Sequence, residues 1–411
     1  MSMKVSPSAT QDADLPCASL PVWPLGESFG FLSGLRVVDL TTSIAGPYAT
    51  MLLSDFGAEV IKIERPEGDD SRQWGPPFLN GHSLWFNAVN RNKKSVTLDL
   101  RRESDFKKLM TLVASADVFV TNQPPNVQQK LKLDHDSLKA VRADLIFVSI
   151  TGFGLTGERA DFTCYDLVAE GYSGIMDITG AKDGPAQKVG APAADMLAGQ
   201  DAAMAAMGAL FDRTRSGKGR KIDISLVESM TRFLTCRIST YLGSGEVPQR
   251  SGGTDSVIAV YQAFDTSDRP INLALGTNAI WARFWEALGD EEFGARREFT
   301  NNSDRREHRA MIVAKIQDVL LTKPRSYWLE LFAEKRIPAG PINRIDEVAG
   351  DAPLQERGMF FNLENGQNGP MPQIGLGIHI DGQPCVPRSA PPRLGEHNAE
   401  FARLFAAAPT E

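Results

Sequence analysis

Apolar and polar positions alternate between strand-like and helix-like runs along the first half of the chain. "LRVVDLT" (Leu35 to Thr41) is a short β-rich run ending in a turn, and "GPYATMLLSDFGA" reads as a helix closed by Gly57. "EVIKIERP" (Glu59 to Pro66) is a second strand, stopped by proline. "SVTLDL", the helix "ESDFKKLMTLVASA" and the strand "DVFVTN" repeat the alternation, and "LIFVSITGFG" follows a further helical stretch. Strand and helix alternating at this spacing predict a mostly parallel sheet with helices on both faces. Ligands of such sheets sit beyond the carboxyl ends of the strands. The polar, glycine-rich exits at Thr41 to Gly46, Glu64 to Asp70, Thr121 to Asn126 and Thr151 to Gly157 are therefore the places to look for a site.

After "GRKIDISLVESM" the pattern changes. A helical segment runs to about Leu242, followed by the turn-rich "GSGEVPQRSGGTD". "SVIAVYQAFDT" and "PINLALG" read as strands, polar helices fill the stretch from Ile280 to Glu334, and "RIPAGPINRIDEV" restores small and proline-rich composition. The expected organisation is a flexible extension over 1–30, a large α/β domain over 31–228, a linker over 229–244, a smaller domain over 245–335, and a return to the large domain over 336–411.

Composition narrows the function. Of 411 residues, 42% are apolar and 23% charged, with 44 basic against 51 acidic side chains. This is a globular composition without the basic footprint of a nucleic-acid binder. No apolar run reaches the ~18 residues a membrane span needs. The first 30 residues lack a basic n-region and an apolar h-region, so they read as an extension and not as a signal peptide. Cys17, Cys164, Cys236 and Cys385 form no C-x-x-C pair, and the five histidines are scattered without H-E-x-x-H. A reduced, cytoplasmic chain with no metal centre is expected.

The turn "TTSIAGPYAT" lacks the G-x-G-x-x-G of a dinucleotide site. "SGKGRK" follows a helix and precedes a strand, the reverse of a P-loop, and reads as a solvated turn. Lys62, Arg65, Arg72, Arg91, Lys93, Lys94 and Arg101 collect around strand ends, either as solvated surface or as clamps for a phosphate-bearing ligand. In "VGAPAADMLAGQDAAMAAMGALFDR", Asp195 stands where an apolar helix begins. Aspartate there is a favoured helix cap. A carboxylate kept ionised by the helix dipole can also attack an activated acyl carbon, and Ala193, Ala194 and Gly199 would leave room for a bulky donor. The residues by themselves leave both readings open.

Several blocks, in order, resemble one family. "GLRVVDLTTSIAGPYATMLLSDFGAEVIKIERPEGDDSR", "NRNKKSVTLDL", "GKGRKIDISLVESM", "IPAGPINRIDEV" and "PPRLGEHNAE" are similar to the class III coenzyme A transferases, over roughly Leu35 to the C-terminus. The resemblance implies a Rossmann-like open sheet in a large domain plus a smaller α+β domain. It also implies a ring-shaped chain interlocked with a second copy as a homodimer. It makes Asp195 the nucleophile and a coenzyme A thioester the substrate, with a free carboxylic acid as acceptor and no resident cofactor. Ile44, Ala45, Arg65, Leu98, Arg101, Asn122, Lys130, Tyr165 and Asp166 fall at coenzyme A-binding positions, and Trp74 and Trp85 at acyl-pocket positions. Lys130 replaces an arginine of the formyl-CoA enzyme, keeping charge but losing bidentate geometry.

Two departures bear on substrate. Ile44 stands where the formyl-CoA enzyme has glutamine, and "RSGGTDSVIAVYQAF" lacks its four-glycine loop, which argues against formyl-CoA and oxalate. Basic residues near the pocket would suit dicarboxylic substrates such as succinyl-CoA. The related α-methylacyl-CoA racemases use a histidine in the slot held here by Tyr165, whose phenol (pKa near ~10) is a poor base at neutral pH. A non-catalytic acyl-CoA-binding protein is the third reading.

Overall fold

The computed structural model describes residues 15–364 and 369–406. They form two compact units. One holds the described residues up to Ile175, then Lys188–Leu242 and those from Ala349 onward; the other holds Met176–Gln187 and Gly243–Val348.

The first unit is built on six parallel strands: β1 (Arg36–Leu40), β2 (Glu59–Glu64), β3 (Lys93–Thr97), β4 (Val118–Thr121), β5 (Ile146–Thr151) and β6 (Arg220–Ser225). Their spatial order is β3-β2-β1-β4-β5-β6, so the winding reverses between β1 and β4. The helices important for the site are α1 (Ala45–Asp55), α2 (Glu103–Ala114), α3 (Pro125–Lys130), α4 (Asp166–Ser173), α5 (Ala193–Ser216) and α6 (Leu226–Phe233). The inner strands are Val/Ile/Phe-rich and buried almost without alternation. Both faces of a parallel sheet are covered by crossover helices, and this explains that pattern. One face packs Val38, Ile61, Val96, Phe119 and Phe147 against Leu109, Leu112 and Val113 of α2 and against Phe401. On "SGKGRK", α5 ends at Ser216 with Gly217 in the left-handed region and β6 starts at Arg220, as a helix-to-strand turn requires.

The packed chain starts earlier than residue 30. Residues 1–14 of the expected extension lie outside the described residues, but Val22–Trp23 pairs in parallel with Asn362–Leu363, and Trp23 stacks on Phe361 at 4.5 Å. Residues 229–244, expected as a linker, are helical as the end of α6 and as Thr235–Ser244. The second unit is wider than 245–335. It carries the antiparallel strands β7 (Tyr261–Phe264), β8 (Ile271–Ala274) and β9 (Ala339–Pro341). Its core is Phe264, Leu273, Trp281, Phe284, Trp285, Ile316, Trp328 and Phe332.

Candidate active site

At the reversal between β1 and β4 the two strand exits are tied together. The Thr42 N–H donates to Asn122 Oδ1 (3.1 Å), and Asn122 Nδ2 donates back to the Thr42 carbonyl (2.8 Å). Above them opens a cavity of about 700 Å³. Its walls include Ile44, Ala45, Asn122, Tyr165, Asp166 and Asp195, with Trp74 and Trp85 at one side in an edge-to-face pair 6.0 Å apart. A crevice at such a switch point is where doubly wound sheets bind ligands.

The loop before α1 is held by buried charges. Lys62 Nζ donates to the Thr41 carbonyl (2.9 Å) and to Asp69 (2.8 Å), and Asp69 in turn accepts the Ser43 N–H (3.1 Å). Ser43 adopts φ +69° there, a conformation that these bonds must sustain. Gly46 allows the turn to close, since a Cβ at that position would lie 2.4 Å from Thr41 Cβ. The first turn of α1 has no side-chain cap; Pro47 carries no N–H and the Tyr48 N–H bonds the Ile44 carbonyl (2.8 Å), which leaves the amides of Ala45 and Gly46 at the cavity end of the helix.

This arrangement withdraws five of the seven basic residues, Lys62, Arg72, Arg91, Lys93 and Lys94, from the alternative that the cluster clamps phosphates. Lys62 and Lys93 are sealed from solvent with Asp69 and Asp39, and Arg91 is buried against Asp55. Arg72 chelates Glu64 and lies 3.7 Å over the Phe86 ring, while Lys94 pairs with Glu59 and Glu400. Burial pushes Lys93 down to about 8. Burial works against ionisation of Asp39, yet Lys93 and Lys62 hold it below the usual carboxylate range. A lysine inside a parallel strand and its loop aspartate complete each other's solvation, so these cations organise the loops and have no free valence for a ligand.

Arg65 and Arg101 are exposed just beyond β2 and β3. Arg65 donates to the Gly68 carbonyl (2.9 Å) and to Asp70, itself a wall residue of the cavity; Arg101 pairs with Asp99 at 2.7 Å. Lys130 ends α3 and is exposed. Leu98 is buried in the core with its amide bonded to the Glu64 carbonyl (2.8 Å), leaving no free donor. Arg65, Leu98, Arg101 and Lys130 are thus not among the cavity's walls, in contrast to the other expected positions.

Asp195 is not the helix cap. Pro192 holds the cap position of α5, and Asp195 is its third residue. The capping carboxylate is Asp166, at the start of α4, whose Oδ1 accepts the N–H groups of Ala194 (2.8 Å) and Asp195 (3.2 Å). Among the described residues nothing donates a hydrogen bond to the Asp195 carboxylate. Burial at the cavity wall, with the nearby Asp166 charge, pushes Asp195 up to about 7, so the expected dipole-stabilised, fully ionised carboxylate is corrected too.

Gly199 likewise has another role than making room for an acyl group. A Cβ there would stand 2.6 Å from the Ala45 carbonyl, so its bareness lets α5 lie directly on the first turn of α1. Asp195, one helical turn earlier, shares that face.

Three wall or near-wall residues carry no mark in the sequence pattern: Cys164, Glu170 and Lys188. Cys164 is pushed up to about 11 by burial and by the Asp195 and Asp166 charges, so it is a neutral thiol. Lys188 is the one cation among the described walls; its Nζ donates to the Val189 carbonyl at 3.0 Å. Among the described residues no group of three or more His, Cys, Asp or Glu could hold a metal ion.

A doubly wound sheet without a nucleotide fingerprint, with a carboxylate that accepts no hydrogen bond among the described residues in its switch-point crevice, defines an α/β protein equipped for carboxylate chemistry. The family is then plain: residues 32–398 match CoA-transferase family III, and the chain belongs to that family. It is a family III CoA-transferase, acting on an acyl-CoA donor and a carboxylate acceptor. It is 36% identical over 90% of its length to the succinate–glutarate CoA-transferase of Agrobacterium fabrum, covering 94% of that protein. It is 35% identical to the mouse succinyl-CoA:glutarate CoA-transferase, over 90% of this chain and 86% of that one. The crystal structure of a CaiB/BaiF family protein from Brucella suis superimposes with a TM-score of 0.80 at 37% identity, covering 91% of this chain and 99% of that one.

Proposed function

We propose that the protein moves coenzyme A between dicarboxylic acids through a covalent intermediate on Asp195. The observation that carries this reading is the Asp195 carboxylate itself, free of hydrogen bonds at the wall of the crevice and beside the uncapped first turn of α1. An Asp195 oxygen attacks the thioester carbonyl carbon, the C–S bond breaks, and CoA leaves as thiolate, giving a mixed anhydride. The thiolate then attacks the aspartyl carbonyl carbon, the anhydride C–O bond breaks, and the donor acid departs as carboxylate. An acceptor carboxylate reverses both steps and carries the CoA away. Amides of the first turn of α1 stabilise the oxyanions, at a position where such donors lower the barrier by about 3–4 kcal/mol each. The phosphates and adenine extend over the β2 and β3 exits toward Arg65 and Arg101.

Dicarboxylates are favoured by Lys188, the one cation among the described cavity walls, and by relatives named for succinate and glutarate. The racemase reading has no imidazole to support it, since Tyr165 fills that slot and is 67% exposed. We further propose a homodimer of interlocked chains working in the cytoplasm. Exposed Met204, Phe211, Phe233, Tyr241 and Leu242 suit a covered surface, and four cysteines that form no disulfide suit a reducing compartment.

A matrix of acyl-CoA donors against free acids, read by chromatography, tests the reading. Transfer from succinyl-CoA to a second dicarboxylate is expected. Asp195→Asn should abolish it, and hydroxylamine added during turnover should leave a hydroxamate on Asp195. Lys188→Gln should cost about tenfold or more in kcat/KM for dicarboxylates, the worth of one charged hydrogen bond, and little for monocarboxylates. Full activity in the Asn variant, or α-deuterium uptake from heavy water by a 2-methylacyl-CoA without any CoA transfer, contradicts the proposal.

A further inference from the structure

Glu170 lies one helical turn after Asp166 on α4 and is completely buried. Its Oε2 accepts the Val189 N–H at 2.8 Å. Its Oε1 is sealed from solvent and has no donor among the described residues. What stands within hydrogen-bonding reach of Glu170 is the carboxyl group of Asp166. Two carboxylates in such contact cannot both stay ionised, so one of them holds a proton. Asp166 already accepts two N–H groups at the start of α5, whereas Glu170 Oε1 accepts none among the described residues. Burial first, and then the Asp166 charge, push the Glu170 carboxyl up, against the opposing Val189 hydrogen bond and, more weakly, Lys188. The charged or titratable groups around the pair are Asp166 on α4, Lys188 on the lead-in to α5, Cys164 before α4, and Asp195 on α5. The Asp201–Arg232 pair joins α5 to α6.

We propose that Glu170 is a positioning residue. As a neutral acid it donates Oε1–H to Asp166 and accepts the Val189 N–H, fixing the lead-in and first turn of α5 that carry Asp195. The orphaned oxygen is thereby satisfied, and the chain Val189–Glu170–Asp166–Asp195 becomes one continuous hydrogen-bonded strut. The proposal rests on Asp195 being the reacting carboxylate, and it concerns how that carboxylate is aimed.

The experiment compares Glu170→Gln and Glu170→Leu in the full chain, with melting temperature measured alongside. The glutamine amide can donate to Asp166 and accept from Val189, so kcat should stay within about threefold, with an unchanged pH profile. Leucine can do neither, and kcat should fall about tenfold or more while KM for the CoA ester moves less than about threefold. A glutamine variant as impaired as the leucine variant, or a leucine variant as active as wild type, overturns the positioning role. Infrared difference spectra of wild type against Glu170→Gln give a readout independent of turnover. A protonated-carboxyl C=O band lost in the variant is expected. Absence of that band overturns the proposal even if Glu170→Leu fails to fold. Because the band does not depend on Asp195 reacting, a failed nucleophile assignment is distinguished from a failed Glu170 assignment.

Discussion

Asp195 combines half-burial, a neighbouring carboxylate and a lack of donors, and each raises the cost of its charge. Since the folded value, about 7, lies above the ordinary 3.8, the folded protein holds a proton there that the unfolded chain has lost. Stability from this group is therefore present at low pH and lost as pH rises from about 4 through about 7. Asp195→Asn should accordingly be more stable than wild type at pH 8, by about 1–3 kcal/mol, with the gain vanishing near pH 4. Urea denaturation at both pH values checks the sign. With Asp195 as the proposed nucleophile, kcat/KM should rise with pH through about 7 as its carboxylate forms. A flat profile between pH 6 and 8 contradicts an unpaired Asp195 as nucleophile. At this scale the sequence displayed Asp195 but not its state, because the walls that raise it come from α4, the loop after β1 and the lead-in to α5.

Among elements, the contact of α1 with α5 decides the site. α5 is a low-contrast helix of Ala, Gly and Met whose buried side, Ala194, Ala198, Gly199, Ala202 and Ala206, is made of the smallest side chains. Small residues allow close approach of two helix backbones, and here the approach brings the face of α5 that carries Asp195 onto the first turn of α1. Gly199→Ala should therefore cost about 1–3 kcal/mol in unfolding free energy by overpacking. It should also lower kcat more than KM, because α1 and the proposed nucleophile, Asp195, move apart. Steady-state kinetics beside a denaturation curve measure both; unchanged kcat would show that the approach is not needed for chemistry. The strand pattern was legible in outline, from Arg36–Leu40 to Ile146–Thr151, although the run read over Ser95 to Leu100 is a strand over Lys93–Thr97. The role of Gly199 was not, since a glycine reserved for close packing and one leaving space for a ligand look alike in one dimension.

On the scale of the first unit, residues far apart in the chain close the sheet's outer side. Arg388 Nη1 donates to the Gly57 carbonyl (2.8 Å), and its Nη2 donates to those of Ala58 (2.7 Å) and Ser54 (3.1 Å). Arg91 Nη1 bonds the Ile374 carbonyl at 2.7 Å, and His397 accepts from the Ser95 N–H of β3. The late segment thus caps the turn after α1 and completes the edge beside β3. Arg388→Met removes three hydrogen bonds to carbonyls, of which, among the described residues, only that of Ser54 keeps another donor, the Gly57 N–H, so a loss of about 2–4 kcal/mol is expected, read as a lower melting temperature. A melting temperature within a degree of wild type would show that water replaces the guanidinium at no cost.

The sequence by itself determined the parallel α/β sheet, the strand exits as the place of the site and, through its resemblance, the family and the candidate aspartate. Periodicity and turn residues are local properties, and they survive in a one-dimensional reading. Only the tertiary structure decided which charges are free. Lys62, Arg91 and Lys93 look in sequence like ligand-binding cations, and burial beside Asp69, Asp55 and Asp39 consumes them. Asp166, Glu170 and Asp195 become one carboxylate system only when α4 is laid across the start of α5. The physical reason is that ionisation and hydrogen-bond satisfaction depend on what surrounds a group in space, and solvent exclusion is set by elements far away in the chain.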